Sequence, residues 1–295
     1  MSDQPTPQDH LAQGLQHQDA KDFNAAIVAY SAALNADHAL VAAYVARSDA
    51  HLQIDNYDEA LIDAETAISL APESADPYYA QAMVAFEKRD YAAAKTIAEI
   101  GLAHDADHAK LLRLRASCHF GLADYATTLT DATRSIELDD SDETAFMIRG
   151  AAQYQLGRRD LAVQDITRAI AMDPEYSMAY DWRGKIYLQM GKPQRAGRDF
   201  RRILRIKPYN ATTYLKRGQA YCNDKRFKKA LSDFNEVLNR VPDHPDGYLW
   251  RAIATFQTGN FMAAYGDLER ARDLNPDDPT ITEYQKLVRA RLRIK

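Results

Sequence analysis

Long apolar runs are missing from this chain of 295 residues: no stretch of eighteen or more apolar residues occurs, so no helix is expected to span a membrane. Cysteine is scarce as well. Cys118 and Cys222 stand far apart and form no CxxC pair, which argues against a disulfide framework. The amino terminus, MSDQPTPQDH, has no apolar core of the signal-peptide kind, so an intracellular, cytoplasmic protein in reducing surroundings is expected. On that expectation the sequon Asn210-Ala211-Thr212 goes unused. The sequence also lacks a GxxxxGK[ST] loop, a GxGxxG following a strand, an HExxH and a GxSxG. No catalytic residue is assigned, no cofactor is expected, and an enzyme is not the reading.

What is present is a soluble composition with an uneven charge. Hydrophobic residues make up 46% and charged residues 27%, the balance of a folded chain. The formal net charge is −5, but residues 1–100 carry five Lys/Arg against sixteen Asp/Glu, and residues 201–295 carry nineteen against eleven. The two ends therefore differ by nineteen charges, −11 against +8. A net acidic chain argues against nucleic acid as the main partner, although the basic half leaves an RNA-binding alternative open.

Laid on itself, the chain repeats every 34 residues without a slip, in units 7–40, 41–74, 75–108, 109–142, 143–176, 177–210, 211–244 and 245–278. Position 8 of the repeat is always small: Gly14, Ser48, Ala82, Ala116, Gly150, Gly184, Gly218, Ala252. Position 20 is Ala in every unit except for Thr128, and position 4 from the second unit is Tyr44, Tyr78, Leu112, Phe146, Tyr180, Tyr214 and Tyr248. Proline closes five units, at Pro72, Pro174, Pro208, Pro242 and Pro276. Apolar or small residues at 4, 8 and 11, and again at 20, 24 and 27, follow the helical rhythm. Each unit thus reads as two antiparallel helices joined near position 15, where Gly157, Gly191 and Gly259 sit, with the proline stopping the second helix. A hairpin of this kind leaves an apolar face uncovered until its neighbour stacks on it. The fold class is all-α, a solenoid of eight helix pairs.

Flanking the repeats, residues 1–6 read as a loose leader and 279–295 as a capping helix with Ile281, Tyr284, Val288 and Leu292 on one stripe. The repeat pattern resembles the tetratricopeptide repeat family over residues 7–278. That resemblance implies a right-handed superhelix whose first helices line a concave groove. It also implies a protein-binding scaffold or adaptor, with a protein or peptide as ligand.

Six units share a second signature. Arginine at position 7 (Arg47, Arg115, Arg149, Arg183, Arg217, Arg251) occurs together with aspartate at position 23 (Asp63, Asp131, Asp165, Asp199, Asp233, Asp267). The remaining two units lack both partners. In an antiparallel hairpin these positions face one another, so each arginine is expected to fork onto its own unit's aspartate as a structural ion pair. Six copies make a frame, where catalysis needs one constellation.

In the resembled family, ligands touch positions 2, 5, 9, 12 and 13 of the first helix. Here positions 2 and 5 supply Tyr79, Lys110, Arg113 and Met147, and position 9 supplies Met83 and Lys185. Position 12 runs as an apolar stripe through Leu52, Phe86, Phe120, Tyr154, Leu188, Cys222 and Phe256. The stripe is either contact between neighbouring helices or the floor of a peptide groove. Cations above it would suit a segment mixing carboxylates and hydrophobic residues. The carboxylate clamp of chaperone-binding relatives needs Lys at position 5 and Asn at 9, and neither occurs, so a co-chaperone or assembly factor would need another clamp. The basic run Lys192, Arg195, Arg198, Arg201, Arg202, Arg205, Lys207 is a solvated face or a docking patch. His104 and His108 have metal-like spacing but fall in a turn, where no metal is expected.

Overall fold

The computed structural model describes residues 5–294. Among these residues the secondary structure is helical throughout, with seventeen α-helices. The first nine are α1 (Pro7–Asp19), α2 (Phe23–Ala36), α3 (Val41–Leu52), α4 (Tyr57–Leu70), α5 (Ala75–Glu87), α6 (Tyr91–His104), α7 (Ala109–Gly121), α8 (Tyr125–Leu138) and α9 (Glu143–Gln155). The remainder are α10 (Arg159–Met172), α11 (Ser177–Gln189), α12 (Pro193–Ile206), α13 (Ala211–Asn223), α14 (Phe227–Arg240), α15 (Pro245–Gln257), α16 (Phe261–Leu274) and α17 (Pro279–Leu292). The chain divides into two units, Met1–Gly157 and Arg158–Lys295.

Of the leader, residues 1–4 lie outside the described residues, and Thr6 has a fixed role. Its hydroxyl accepts the Asp9 N–H at 3.2 Å while the Asp9 carboxylate accepts the Thr6 N–H at 2.8 Å, a reciprocal cap that starts α1 at Pro7.

Every hairpin turns through one left-handed residue at position 15. Three are the glycines Gly157, Gly191 and Gly259; the others are Lys21, Asp55, Arg89, Ala123 and Lys225, with φ between 56° and 62°. Five turns therefore hold a side chain where its Cβ is unfavourable, roughly 1–2 kcal/mol each, so packing on both sides dictates the turn. That packing is close because position 20 is small: Ala26, Ala60, Ala94, Thr128, Ala162, Ala196, Ala230 and Ala264 are all fully buried.

A compensation links positions 8 and 24. Where position 24 is a ring, position 8 is glycine: a Cβ on Gly14 would sit 2.3 Å from the Tyr30 ring, on Gly184 2.7 Å from Phe200, and on Gly218 2.4 Å from Phe234. Where position 24 is Ala64, Ala98, Ala132 or Leu268, position 8 is Ser48, Ala82, Ala116 or Ala252. A ring at position 24 fills the space that a side chain at position 8 would need, as close packing requires.

The arginines of position 7 brace the hairpins from the side. Arg47 Nε and Nη2 donate to Asp63 at 2.8 and 2.7 Å, and Arg115 makes the same fork to Asp131 at 2.7 Å twice. In the second unit Arg183 forks onto Asp199, Arg217 onto Asp233 and Arg251 onto Asp267, all at 2.7–3.0 Å. Arg149 lies in the first unit and Asp165 in the second, so their pairing stays a proposal. Three guanidiniums also reach back one repeat: Nη1 donates to Ser31 from Arg47, to Thr167 from Arg183 and to Asn235 from Arg251, at 2.9–3.0 Å. The ring at position 4 lies under the guanidinium, as Tyr214 does under Arg217 at 5.4 Å. Asp63, Asp131, Asp199 and Asp233 are buried. Burial pushes the carboxyls of Asp199 and Asp233 upward against the hydrogen bonds from their own arginines.

Within the first unit α1, α3, α5, α7 and α9 pack each against the next, whereas the second helices of consecutive repeats make no comparable contact among the described residues. Closer spacing on one side bends a stack toward it, so the first-helix side is the inner side of this unit. In the second unit α17 packs on α15 and α16, burying Ile281 and Val288, with Tyr284 edge-on to Phe256 at 6.1 Å.

Two expectations follow for stability. Arg217→Met strands the buried Asp233 charge and should cost about 3–5 kcal/mol in urea unfolding, while adding Asp233→Leu should restore most of it. Gly218→Ala should cost about 1–3 kcal/mol from overpacking, with Phe234→Leu in the same chain relieving it; equal melting of Gly218→Ala and wild type would contradict the compensation.

Candidate functional site

Positions 2, 5, 9 and 12 are spaced by three and four residues, so they stack on one face of a helix. In the first unit four such faces lie side by side, and they enclose a cavity of about 550 Å³. Leu15 and Gln18 of α1, Val41, Ala42, Val45, Ala46 and Asp49 of α3, Asp76 and Tyr79 of α5, Lys110 of α7 and the intervening Ser74 line it.

Asp49 is half-buried, and neutral groups orient it. The Gln18 amide donates to its carboxylate at 2.6 Å, and Gln18 is itself held by the Tyr30 hydroxyl at 2.6 Å. Burial raises the Asp49 carboxyl above the usual carboxylate range; hydrogen bonds from Gln53 and Gln18 and the charge of Lys110 oppose it. Asp76 lies 3.0 Å from His108 Nε2, and His108 Nδ1 accepts the Leu111 N–H at 3.1 Å as the cap of α7. With Nδ1 an acceptor, Nε2 is the nitrogen left to donate to Asp76. Burial likewise raises the Tyr79 phenol, partly offset by Arg113, whose Nη2 donates to the Tyr79 oxygen at 3.0 Å.

The residues named from the sequence do not all share one site. Tyr79 and Lys110 line it. Arg113 is already engaged: besides Tyr79 it holds Asp142, the cap of α9, with Nε at 2.7 Å. Phe86 and Phe120 pack on the start of their own second helices, at 5.4 Å from Tyr91 and 5.4 Å from Tyr125. Met83 is half-buried against two core clusters, Tyr154 is half-buried, and Met147 is only 4% exposed. In the second unit Lys185 holds Asp181 at 2.9 Å and covers Trp182 at 5.1 Å, and Leu188 is half-buried. Two of the three cations named from the sequence, Arg113 and Lys185, are bound within the protein, and carboxylates line the cavity of the first unit.

Sequence reasoning missed Leu15, Gln18, Val41, Val45, Asp49 and Asp76. They occupy the same positions 2, 5, 9 and 12, or adjoin them, in the first three units, which was the signal available. The remaining chemistry-bearing residues sit elsewhere. His104 stacks on Tyr78 at 5.4 Å. Burial pushes the thiols of Cys118 and Cys222 up to about 12, away from nucleophilic reactivity at neutral pH. Of the basic run, Arg198, Arg201 and Arg205 are exposed on α12, and Arg202 donates to the Pro174 carbonyl at 3.1 Å.

A family model for the tetratricopeptide repeat matches residues 79–141, 149–211 and 215–279, and a second model of the same repeat matches 41–74. No curated protein matches the chain. Among solved structures, the APC/C hetero-tetramer Cut9–Hcn1 is 15% identical with a TM-score of 0.69, over 90% of this chain and 52% of that one, so the chain spans about half its length. YrrB, a TPR protein with an unusual peptide-binding site, is 18% identical with a TM-score of 0.58, over 64% of this chain and 97% of its own. A tetratricopeptide repeat protein from Parabacteroides merdae is 16% identical with a TM-score of 0.54, over 84% and 98%. At these identities the likeness is one of fold.

The raised Asp49 carboxyl makes a stability prediction. A carboxyl whose folded pKa lies above its unfolded value favours the folded state while protonated, and that contribution is lost as pH rises through the folded value. At neutral pH the ionised Asp49 therefore opposes folding. Asp49→Asn, which still accepts from Gln18, should raise the thermal midpoint at pH 7 and leave it unchanged below the carboxylate range. A lower midpoint at pH 7 would contradict it.

Proposed function

The chain belongs to the tetratricopeptide repeat family, and from that premise we propose that it is a non-catalytic scaffold binding an extended segment of a partner protein along the first-helix face of its first unit. In this reading residues 7–278 make eight repeats and 279–295 cover the last of them. The observation that carries it is the cavity of about 550 Å³ at positions 2, 5, 9 and 12 of neighbouring first helices, a size and mixed polarity suited to a few side chains of a peptide. YrrB, of the same fold, is a protein with a peptide-binding site of its own, which supports the class of ligand and not its identity. No helix among the described residues is long and apolar enough to cross a membrane. The two free thiols suit a reducing compartment, so an intracellular setting belongs to this reading.

A clamp for a chain-terminal carboxylate fits less well. Such a clamp needs cations and amide donors at positions 5 and 9, and here position 9 of α3 is the carboxylate of Asp49. The co-chaperone alternative therefore has no residue to favour it. For RNA, the exposed arginines of α12 would supply charge, yet bases need rings to stack on, and no ring is interleaved on that helix beyond the buried Phe200.

Val45→Arg fills the cavity from its wall. Crosslinking capture from cell extract should recover protein partners with wild type and lose them with this variant. Identical partner sets for the two proteins, or no partner for either, would contradict the proposal.

A further inference from the structure

Two carboxylates stand on the first-helix faces of the two units, and among the described residues only one receives a cation at ion-pair distance, Lys110 acting on the other through its charge alone. Asp181 on α11 receives Lys216 Nζ at 2.6 Å and Lys185 Nζ at 2.9 Å. Asp49 on α3 receives the Gln18 amide, and among the described residues it has no ion pair. A carboxylate withdrawn from water without a cation is unfavourable, and sequences rarely keep one for packing alone. Around it the walls are the aliphatic side chains of Leu15, Val41 and Val45 and the ring of Tyr79. Asp76 adds a second negative charge against the single cation Lys110. The surrounding sequence strengthens this sign, since residues 1–100 carry −11.

A cavity that sets aliphatic walls beside a carboxylate has the chemistry of one kind of side chain. We propose that this cavity receives a lysine or arginine side chain of the bound segment, its stem against Leu15, Val41 and Val45 and its cation on Asp49. The proposal rests on the reading of this face as a peptide site and names the residue class it selects. Lysine and arginine stems bury readily along apolar surface while the charged head seeks a partner. The resulting hydrogen bond is charge-assisted and, in a partly dry site, stronger than the same contact in water. Asp49 would then complete in the complex the arrangement that Lys216 completes for Asp181 within the free protein. An acidic segment would place like charges together and be rejected. The field of the amino-terminal repeats draws cationic segments toward the site.

The test pans a phage-displayed library of random dodecapeptides on the full-length protein, then measures the selected peptides by fluorescence anisotropy against wild type, Asp49→Asn and Val45→Arg. Circular dichroism melts of all three show that each is folded. The expected result is enrichment of Lys or Arg flanked by apolar residues. Asp49→Asn should weaken binding about tenfold or more, the factor equivalent to roughly 1.4 kcal/mol. Replacing the peptide's Lys or Arg by norleucine should weaken binding to wild type but add nothing in Asp49→Asn. Peptides that Val45→Arg rejects but that are acidic or uncharged would leave the peptide groove standing and overturn the cation pocket. So would cationic peptides that Asp49→Asn binds as tightly as wild type. An empty selection, or peptides indifferent to Val45→Arg, would overturn both.

Discussion

The guanidinium of position 7 fixes the register of the hairpins that carry it. Two of its N–H edges fork onto the aspartate of its own hairpin, as Arg47 does onto Asp63. A third edge reaches the preceding repeat at Ser31, Thr167 or Asn235, and one face lies over the ring of position 4. In Arg47, Arg183 and Arg251 all three nitrogens are thus engaged within the protein. The pair is not a large source of net stability, because both charges leave water. Its value is geometric: a fork admits one register between two helices, and the reach-back links that register to the next hairpin.

Because the brace occupies one side of the first helix, the residues two places on point elsewhere. Arg47 and Asp49 stand on the same helix, one closed into the frame and the other lining the cavity. The neutral hold on Asp49 by Gln18, and on Gln18 by Tyr30, keeps the carboxylate in place without neutralising it. That combination differs from a structural ion pair in the one respect that matters for binding: among the described residues no cation stands at ion-pair distance, and Lys110 acts only through its charge.

Much of the frame could be read directly from the letters. The 7/23 pairing shows because both residues vanish together, at Gln13 with Ala29 and Gln81 with Ile97. The exchange of Gly218 with Phe234 for Ala116 with Ala132 was equally open to reading and went unnoticed. The left-handed turn was only partly visible, since Lys21, Asp55, Arg89, Ala123 and Lys225 carry no local sign of a positive φ. The groove was harder for a physical reason. Periodicity tells which face a side chain takes, not which neighbour reaches it first. Arg113 looked like a ligand-binding cation, but the cap residue Asp142 comes within 2.7 Å of it across the repeat boundary. Phe86 and Phe120 were open to two readings, helix contact or groove floor, and each packs against a ring at the start of the next helix. Asp49 carries no local mark that sets it apart from the other acids of residues 1–100.

Separation of frame from groove is the central claim, and α3 carries both within one turn. The direct measurement takes Arg47→Met and Asp49→Asn and records, for each, the urea unfolding free energy and the affinity for a cationic dodecapeptide selected on wild type. Arg47→Met should lose stability and, where still folded, bind as wild type does; Asp49→Asn should keep or gain stability and lose affinity about tenfold. Loss of both properties together in either variant would show that brace and groove are one structure, contrary to this account.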